Sequence, residues 1–272
     1  MELPRAQSFA TRLRYVDEAV STNDSLAQLA ESGNEPDLSV LFTLSQTGGR
    51  GRLGRSWIAP PGKTLAVSVL FRPLLPSRQP VGIENFGWLP LLAGAAMTRA
   101  IDALVGQSRT TLKWPNDVLI DGRKVCGILA ELIPSGTGVI IGAGVNLTLD
   151  EDELPVPTAT SLRLAGVPAA VDGPADAALV DSVLGSYLEN LRDLLGRFLA
   201  GGADAGGTGI LAEVSRLCST LGQEVRVELP GGAKLVGVAL ALDASGRLEV
   251  RDGSNGEIQA VAAGDVTHLR YE

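Results

Sequence analysis

Apolar positions along this 272-residue chain fall into two textures. Up to about residue 220 they come in long runs with the spacing of helices or buried strands; beyond Gln223 they come in short alternating runs broken by turns. Residues 1–20 are polar and weakly patterned, and read as a tail with a short strand at 13–16. Ser21 followed three residues later by Asp24 is a capping-box signal. With Leu26, Leu29 and Ala30 at helical spacing and Gly33 as a stop, it predicts a helix over 22–32. Residues 38–44 form an unbroken apolar run of strand length, and 65–71 a second strand. Residues 86–105 are apolar nearly all round, which predicts a buried central helix with Pro90 in its first turn and Gly106 at its end. Asp121-Gly122 signals a tight turn joining 118–120 to 124–132, and 139–149 is a further strand. After Gly173-Pro174, Val180, Leu184, Tyr187, Leu188, Leu191, Leu195 and Phe198 line one stripe of a long helix ending at Gly201-Gly202. The Gly/Ala-rich run to Gly209 reads as a mobile connector before a short helix at 210–220.

From Gln223 on, five short strands are expected at 224–229, 234–242, 247–251, 257–262 and 266–270, with turns such as Pro230-Gly231-Gly232 between them. Five strands in so short a stretch read as a small β-barrel. The fold class is therefore α+β: a central mixed β-sheet with helices packed on one side, then a C-terminal barrel. The expected domains are 1–20 tail, 21–220 catalytic or binding domain, and 221–272 barrel.

Composition narrows the partners. The 45% apolar content supports a sizeable core, and the net charge of −8 with a pI near 4.8 argues against nucleic acid, whose phosphates supply most of that affinity. Two cysteines, Cys126 and Cys218, give no disulfide framework, so a reducing, cytoplasmic setting is expected. The lone His268 excludes a His/Cys metal cage or a histidine-based triad. No apolar run is read as approaching the length of a spanning helix, and the first ten residues lack a signal-peptide core, so no membrane partner is expected.

Against that acidic background, residues 48–55, GGRGRLGR, are a local basic feature. Glycine lets backbone approach a ligand, and Arg50, Arg52 and Arg55 offer planar forks of donors for phosphate or carboxylate, so the segment reads as an anion-binding loop. It also fits a P-loop from Gly49 to Ser56, except that Arg55 stands where a lysine belongs. A solvated basic loop is the third reading. Lys113, entering an apolar strand before Trp114-Pro115-Asn116-Asp117, demands a reason, since an unpaired buried ammonium is costly. Gly142 and Gly144, two apart on a strand, leave one face bare for something flat. The start of the 22–32 helix offers Ser21, Thr22 and Asn23 beside free N–H groups.

These residues also occur in a familiar order. Ser21-Thr22-Asn23, Gln46, Gly49-Arg50-Gly51-Arg52-Leu53-Gly54-Arg55 with Trp57, KWPND at 113–117, KVCGIL at 124–129 and GAGVN at 142–146 resemble the successive motifs of the biotin protein ligases. The resemblance covers residues 20–150 strongly, and the C-terminal barrel is similar to that family's SH3-like domain. It implies a class II synthetase-like catalytic sheet and an ATP-dependent reaction. Biotin is activated as biotinyl-5′-AMP with release of pyrophosphate, then transferred to a lysine of a biotin carboxyl carrier protein domain. The implied biotin-binding residues are Ser21, Thr22, Asn23, Gln46, Gly49, Arg50, Gly51, Arg52, Lys113, Gly142 and Gly144. The implied ATP and adenylate residues are Arg50, Arg52, Arg55, Trp57, Lys113, Asn116 and Asn146, with Lys113 and Arg52 catalytic. Mg²⁺ is expected with ATP, its ligands unmarked by any compact carboxylate cluster. With only about 20 residues before the first motif, a monofunctional enzyme without a DNA-reading domain is expected. Competing readings are a lipoate or octanoyl transferase, a P-loop nucleotide hydrolase, and a non-enzymatic biotin sensor or DNA-binding module.

Overall fold

The structure, a computed structural model, describes residues 1–33, 35–57, 59–229, 232–262 and 264–269. Helix α1 (Pro4–Phe9) leads into strand β1 (Arg12–Tyr15), helix α2 (Thr22–Glu31) and strand β2 (Ser39–Thr43). A two-stranded hairpin, β3 (Gly49–Arg50) and β4 (Ser56–Trp57), flanks a short 3₁₀ turn at Arg52–Gly54. Strand β5 (Thr64–Phe71), helix α3 (Trp88–Val105) and strands β6 (Thr110–Lys113), β7 (Asp117–Ile120), β8 (Arg123–Leu132) and β9 (Val139–Asn146) follow, then helices α4 (Ala177–Ala200) and α5 (Ile210–Leu217).

Seven strands form one sheet in the order β1-β2-β5-β9-β8-β7-β6. Only β1 and β2 run parallel, which makes the sheet mixed. The long helices α3 and α4 cover one face, against Val40, Phe42, Val67, Val69 and Ile141. The short α2 lies on the other face, where Leu26 and Ala30 meet Leu41, Leu70 and Ile140. Both faces of β5 are thus covered, and all eight of its residues are buried. At the β7–β8 turn Asp121 and Gly122 both take positive φ, 49° and 80°, the geometry that Asp-Gly favours.

Three expectations are corrected. The first 20 residues are not a bare tail: besides the expected strand, α1 packs on α4 through Leu3 and Ala6, and the Arg5 and Ala6 amides donate to the carboxylate of Asp181 at 3.1 and 2.8 Å. A six-residue helix is too short to show a period, so its signal lay in a partner far along the chain. The run before Gly209 is not a loose connector, because Ala203 and Ala205 are buried and Asp204 accepts from the amides of Gly206 and Gly207. Finally, residues Ile83–Val105 are long and apolar enough by composition to cross a membrane; here they include the buried core helix, packed against the sheet and α4.

The C-terminal strands β10 (Glu224–Glu228), β11 (Lys234–Leu242), β12 (Leu248–Asp252), β13 (Ile258–Val261) and β14 (Asp265–His268) form an antiparallel sheet in the order β13-β12-β11-β10-β14. Part of the expected Pro230-Gly231-Gly232 turn and the end of the last expected strand fall outside the described residues. Two indoles tie this sheet to the larger one: Trp88 Nε1 donates to the Ala244 carbonyl at 2.7 Å and Trp114 Nε1 to the Gly246 carbonyl at 3.1 Å. Trp114→Phe leaves the buried Gly246 carbonyl unpaired and should cost about 1–2 kcal/mol in urea unfolding. His268, buried beside Thr220, is pushed down to about 4 by burial, with Lys113 adding to the shift. Protonation is then easier in the unfolded chain. The stability gained is full above pH 6.5 and is lost as pH falls toward 4, about 3 kcal/mol in all, and His268→Gln should flatten that part of the pH–stability curve.

Candidate functional site

A cavity of about 140 Å³ opens where the β3–β4 flap folds over the middle of β8 and β9 beside Ala66 of β5. Its polar end is built by the start of α2. Ser21 caps that helix by accepting from the Asp24 amide at 3.3 Å, and the Thr22 amide donates to Gln46 Oε1 at 2.9 Å. Ser68 of β5, fully buried, stands behind them, 2.8 Å from Thr22 Oγ1 and 2.6 Å from Asn23 Oδ1. The anticipated reciprocal half of the capping box is replaced, because the Asp24 carboxylate is taken by Arg50.

The flap is held by carboxylates from three directions. Arg50 Nη2 donates to Asp24 Oδ1 at 2.7 Å and to Glu131 Oε1 at 3.0 Å, and these partners, Asp24 first, hold its guanidinium above its ordinary pKa. Arg55 pairs with Asp265 of β14, which raises it likewise. Arg52 differs: its nearest polar partner is the neutral amide oxygen of Asn116 at 3.2 Å, and burial pulls its pKa down against the pull of Asp265 and Asp117. A guanidinium desolvated without a contacting carboxylate is a receptor for an anion.

The floor is made of glycine. Gly127 of β8 and Gly144 of β9 are register partners, and the Trp57 indole lies across both: a β-carbon would stand 3.2 Å and 2.5 Å from its ring. The Lys124 ammonium sits 5.7 Å from that ring's centroid and 2.6 Å from Asp117 Oδ1. Trp57 Nε1 is buried with no partner among the described residues, a donor left for something else in the cavity. Gly142 is covered instead by Asn23, whose Oδ1 would be 2.3 Å from an added β-carbon. The bare face expected at Gly142 and Gly144 is thus filled by Asn23 and Trp57, and the flat slot runs across strands rather than along one.

Of the residues expected from sequence, Ser21, Thr22, Asn23, Gln46, Arg50, Gly51, Arg52, Arg55, Trp57, Asn116, Gly142 and Gly144 line this cavity. Three do not. Gly49 sits behind the wall, where a β-carbon would strike Gln46 and the Trp57 carbonyl. Asn146 spends its amide on the Thr160 carbonyl at 2.9 Å and is buried. Lys113 lies one position back, opposite Asp117 in the β6–β7 ladder, its pKa lowered by burial while Asp117 and Asp265 oppose the shift. The lysine at the wall is Lys124. It too opens an apolar strand, so the argument applied to Lys113 would have found it. Asp265, 210 residues from Arg55, had no signal in the sequence. The P-loop reading fails on geometry: the segment turns back as a hairpin around a 3₁₀ turn instead of feeding a helix N-terminus. Cys126, buried and pushed up by desolvation, stays a thiol and takes no part.

Three comparisons fit this geometry. Residues 16–146 match the biotin/lipoate A/B protein ligase family, and residues 220–269 match the biotin protein ligase C terminal domain. The chain is 38% identical to the biotin–[acetyl-CoA-carboxylase] ligase of Mycobacterium tuberculosis over 95% of its length and 90% of that protein's. It is 32% identical to the bifunctional ligase/repressor BirA of Bacillus subtilis over 56% of this chain and 45% of that one. Its fold superposes on the biotin protein ligase from Aquifex aeolicus in complex with biotin and ATP with a TM-score of 0.73 at 26% identity, covering 94% of this chain and 98% of the other. A sheet carrying a flap of arginines over a glycine floor, a C-terminal sheet reaching in with Asp265, and near full-length identity lead to one conclusion: the chain belongs to the biotin protein ligase family.

Proposed function

We propose that this protein joins biotin to a biotin carboxyl carrier protein domain in the cytoplasm, in two steps of which the first consumes ATP. Biotin's carboxylate attacks the α-phosphate of ATP, giving biotinyl-5′-AMP and pyrophosphate. A carrier lysine's amine then attacks the acyl carbon, forming the C–N bond and releasing AMP. The observation that carries this reading is the pairing of one polar end, Ser21 to Asn23 with Gln46, and one cationic end, Arg52 and Lys124, in a single cavity. The polar end suits the urea-like ring of biotin; its carboxylate then points toward the cations.

Charge builds where carboxylate meets phosphate, and fixed cations there lower the barrier. Lys124 is held by Asp117 and the Trp57 face, Arg52 by Asn116, so neither must reorganise as the reaction proceeds. Lys113 tunes the field from behind. The orphan Trp57 N–H and its ring face offer the nucleotide a planar partner. Folded over the adenylate, the flap excludes water from a hydrolysable mixed anhydride. The full-length relative and the match at 220–269 favour biotin over lipoate as substrate.

Mg²⁺ finds no protein cage here. Among the described residues no three carboxylates, cysteines or histidines cluster, and the two carboxylates at the wall, Asp117 and Asp265, are each engaged with a cation. An ion arriving with ATP would be held by the nucleotide's phosphates, where it would offset their charge.

Lys124→Ala should lower biotin-dependent pyrophosphate exchange by roughly 10²-fold or more, while Lys113→Ala keeps it within about tenfold. The reverse ranking would return the catalytic role to Lys113. Trp88 and Trp114 are 0% and 1% exposed, so a change of tryptophan fluorescence on adding biotin and ATP should come from Trp57 and vanish in Trp57→Phe. A signal surviving that substitution would remove Trp57 from the nucleotide's side.

A further inference from the structure

Glu131 belongs to neither end of the cavity just described, yet it touches both the polar end and the flap. It stands on the wall of a second cavity, about 500 Å³, on the far side of the flap, with Arg50 and Ala130 beside it. One of its oxygens, Oε2, accepts from Asn23 Nδ2 at 2.6 Å, and the same carboxylate accepts from Arg50 Nη2 at 3.0 and 3.1 Å. Asn23 is part of the polar end of the pocket; Arg50 is part of the flap.

The direction of the hydrogen bonds behind Asn23 is fixed by counting protons. Asn23 Oδ1 is an acceptor only, so Ser68, 2.6 Å away, must give it its single hydroxyl proton. The Thr22 hydroxyl then has one proton for two acceptors, Ser68 Oγ at 2.8 Å and Gln46 Oε1 at 3.1 Å, and Gln46 Oε1 holds the Thr22 amide as well. The Glu131 carboxylate, an acceptor only, fixes the Asn23 NH₂ toward itself, and Ser68 supports the amide from behind through Oδ1. Rotating that amide by half a turn would set two oxygens against each other at Glu131, where the carboxylate can only accept.

We propose that Glu131 is a positioning residue that joins the pocket to the flap: Ser68 supports Asn23 from behind, Asn23 and Arg50 share the carboxylate of Glu131, and a ligand that seats correctly on Thr22 and Asn23 thereby sets where the flap stands. This rests on the biotin-activating reading for the ligand's identity, though the joint itself exists without ligand. Its effect falls on how long the activated intermediate is kept, since the flap covers the intermediate, and much less on the first capture of biotin. A ligand that leaves Asn23 misplaced leaves Arg50 with Asp24 alone, and the flap with one anchor fewer.

The test has two arms on the full chain. Without ligand, trypsin cleavage after Arg50, Arg52 and Arg55 reports the flap, with cleavage after the exposed Arg78 as internal reference. Glu131→Gln should speed flap cleavage about tenfold and Arg78 cleavage not at all, with Glu131→Asp in between. Ser68→Ala should act in the same direction, and the Ser68→Ala/Glu131→Gln double variant should be no worse than the more affected single one. With biotin and ATP, Glu131→Gln should release biotinyl-5′-AMP about tenfold faster while its biotin affinity stays within twofold. Unchanged flap cleavage in Glu131→Gln overturns the joint, as do multiplicative effects in the double variant or a parallel loss of biotin affinity and adenylate retention. A wild-type protein that makes no adenylate would instead overturn the assigned reaction, leaving the trypsin arm to decide on Glu131.

Discussion

Three guanidiniums within six residues cannot share one small cavity unless their repulsion is offset, and the fold's answer is to bring an acid to two of them. Asp24 comes from the first turn of α2, Glu131 from the end of β8 and Asp265 from the C-terminal sheet. These pairs are partly exposed and individually worth little. What they achieve is geometric: they fix the flap at both ends and leave Arg52, between them, facing the cavity with only an amide oxygen for company. An anionic ligand is the partner that this arrangement lacks.

The same flap depends on backbone that comes close enough to be covered. Gly127 and Gly144 pair across β8 and β9, and only because neither carries a side chain can the Trp57 indole lie over them, within reach of the Lys124 ammonium. Gly49 allows the hairpin to close on Gln46 and on the Trp57 backbone. The polar end, the floor and the flap are therefore not separate parts. Asn23 sits on Gly142, and its amide leads through Glu131 to Arg50.

The two lysines show that one argument from sequence can fit two residues which the fold then places differently. A lysine at the boundary of an apolar strand has to be explained, and both Lys113 and Lys124 meet that description. Lys113 ends β6 at the sheet's edge, opposite Asp117; Lys124 begins β8, two strands nearer the middle, and reaches the same Asp117 from the side of the cavity. One carboxylate serves both, the ammonium at 2.6 Å directly and the other at longer range.

Much of this protein was legible in the chain as written. The helical stripes, the unbroken run of a strand buried on both faces, the Asp-Gly turn and the change of texture after residue 220 are local patterns, set by periods of 3.6 and 2 and by turn chemistry, and each reads without its neighbours. The clustering of arginine with glycine and the Ser-Thr-Asn start of α2 likewise announced an anion site and a polar pocket. What tertiary structure decided is which residues meet. Asp265 and Arg55 lie 210 positions apart, Glu131 and Arg50 81 apart, and α1 finds its caps on a helix near residue 181. Nothing local in the sequence encodes such contacts, because they arise from the order and register in which strands pair, and that register alone put Lys124 at the wall and Lys113 behind it.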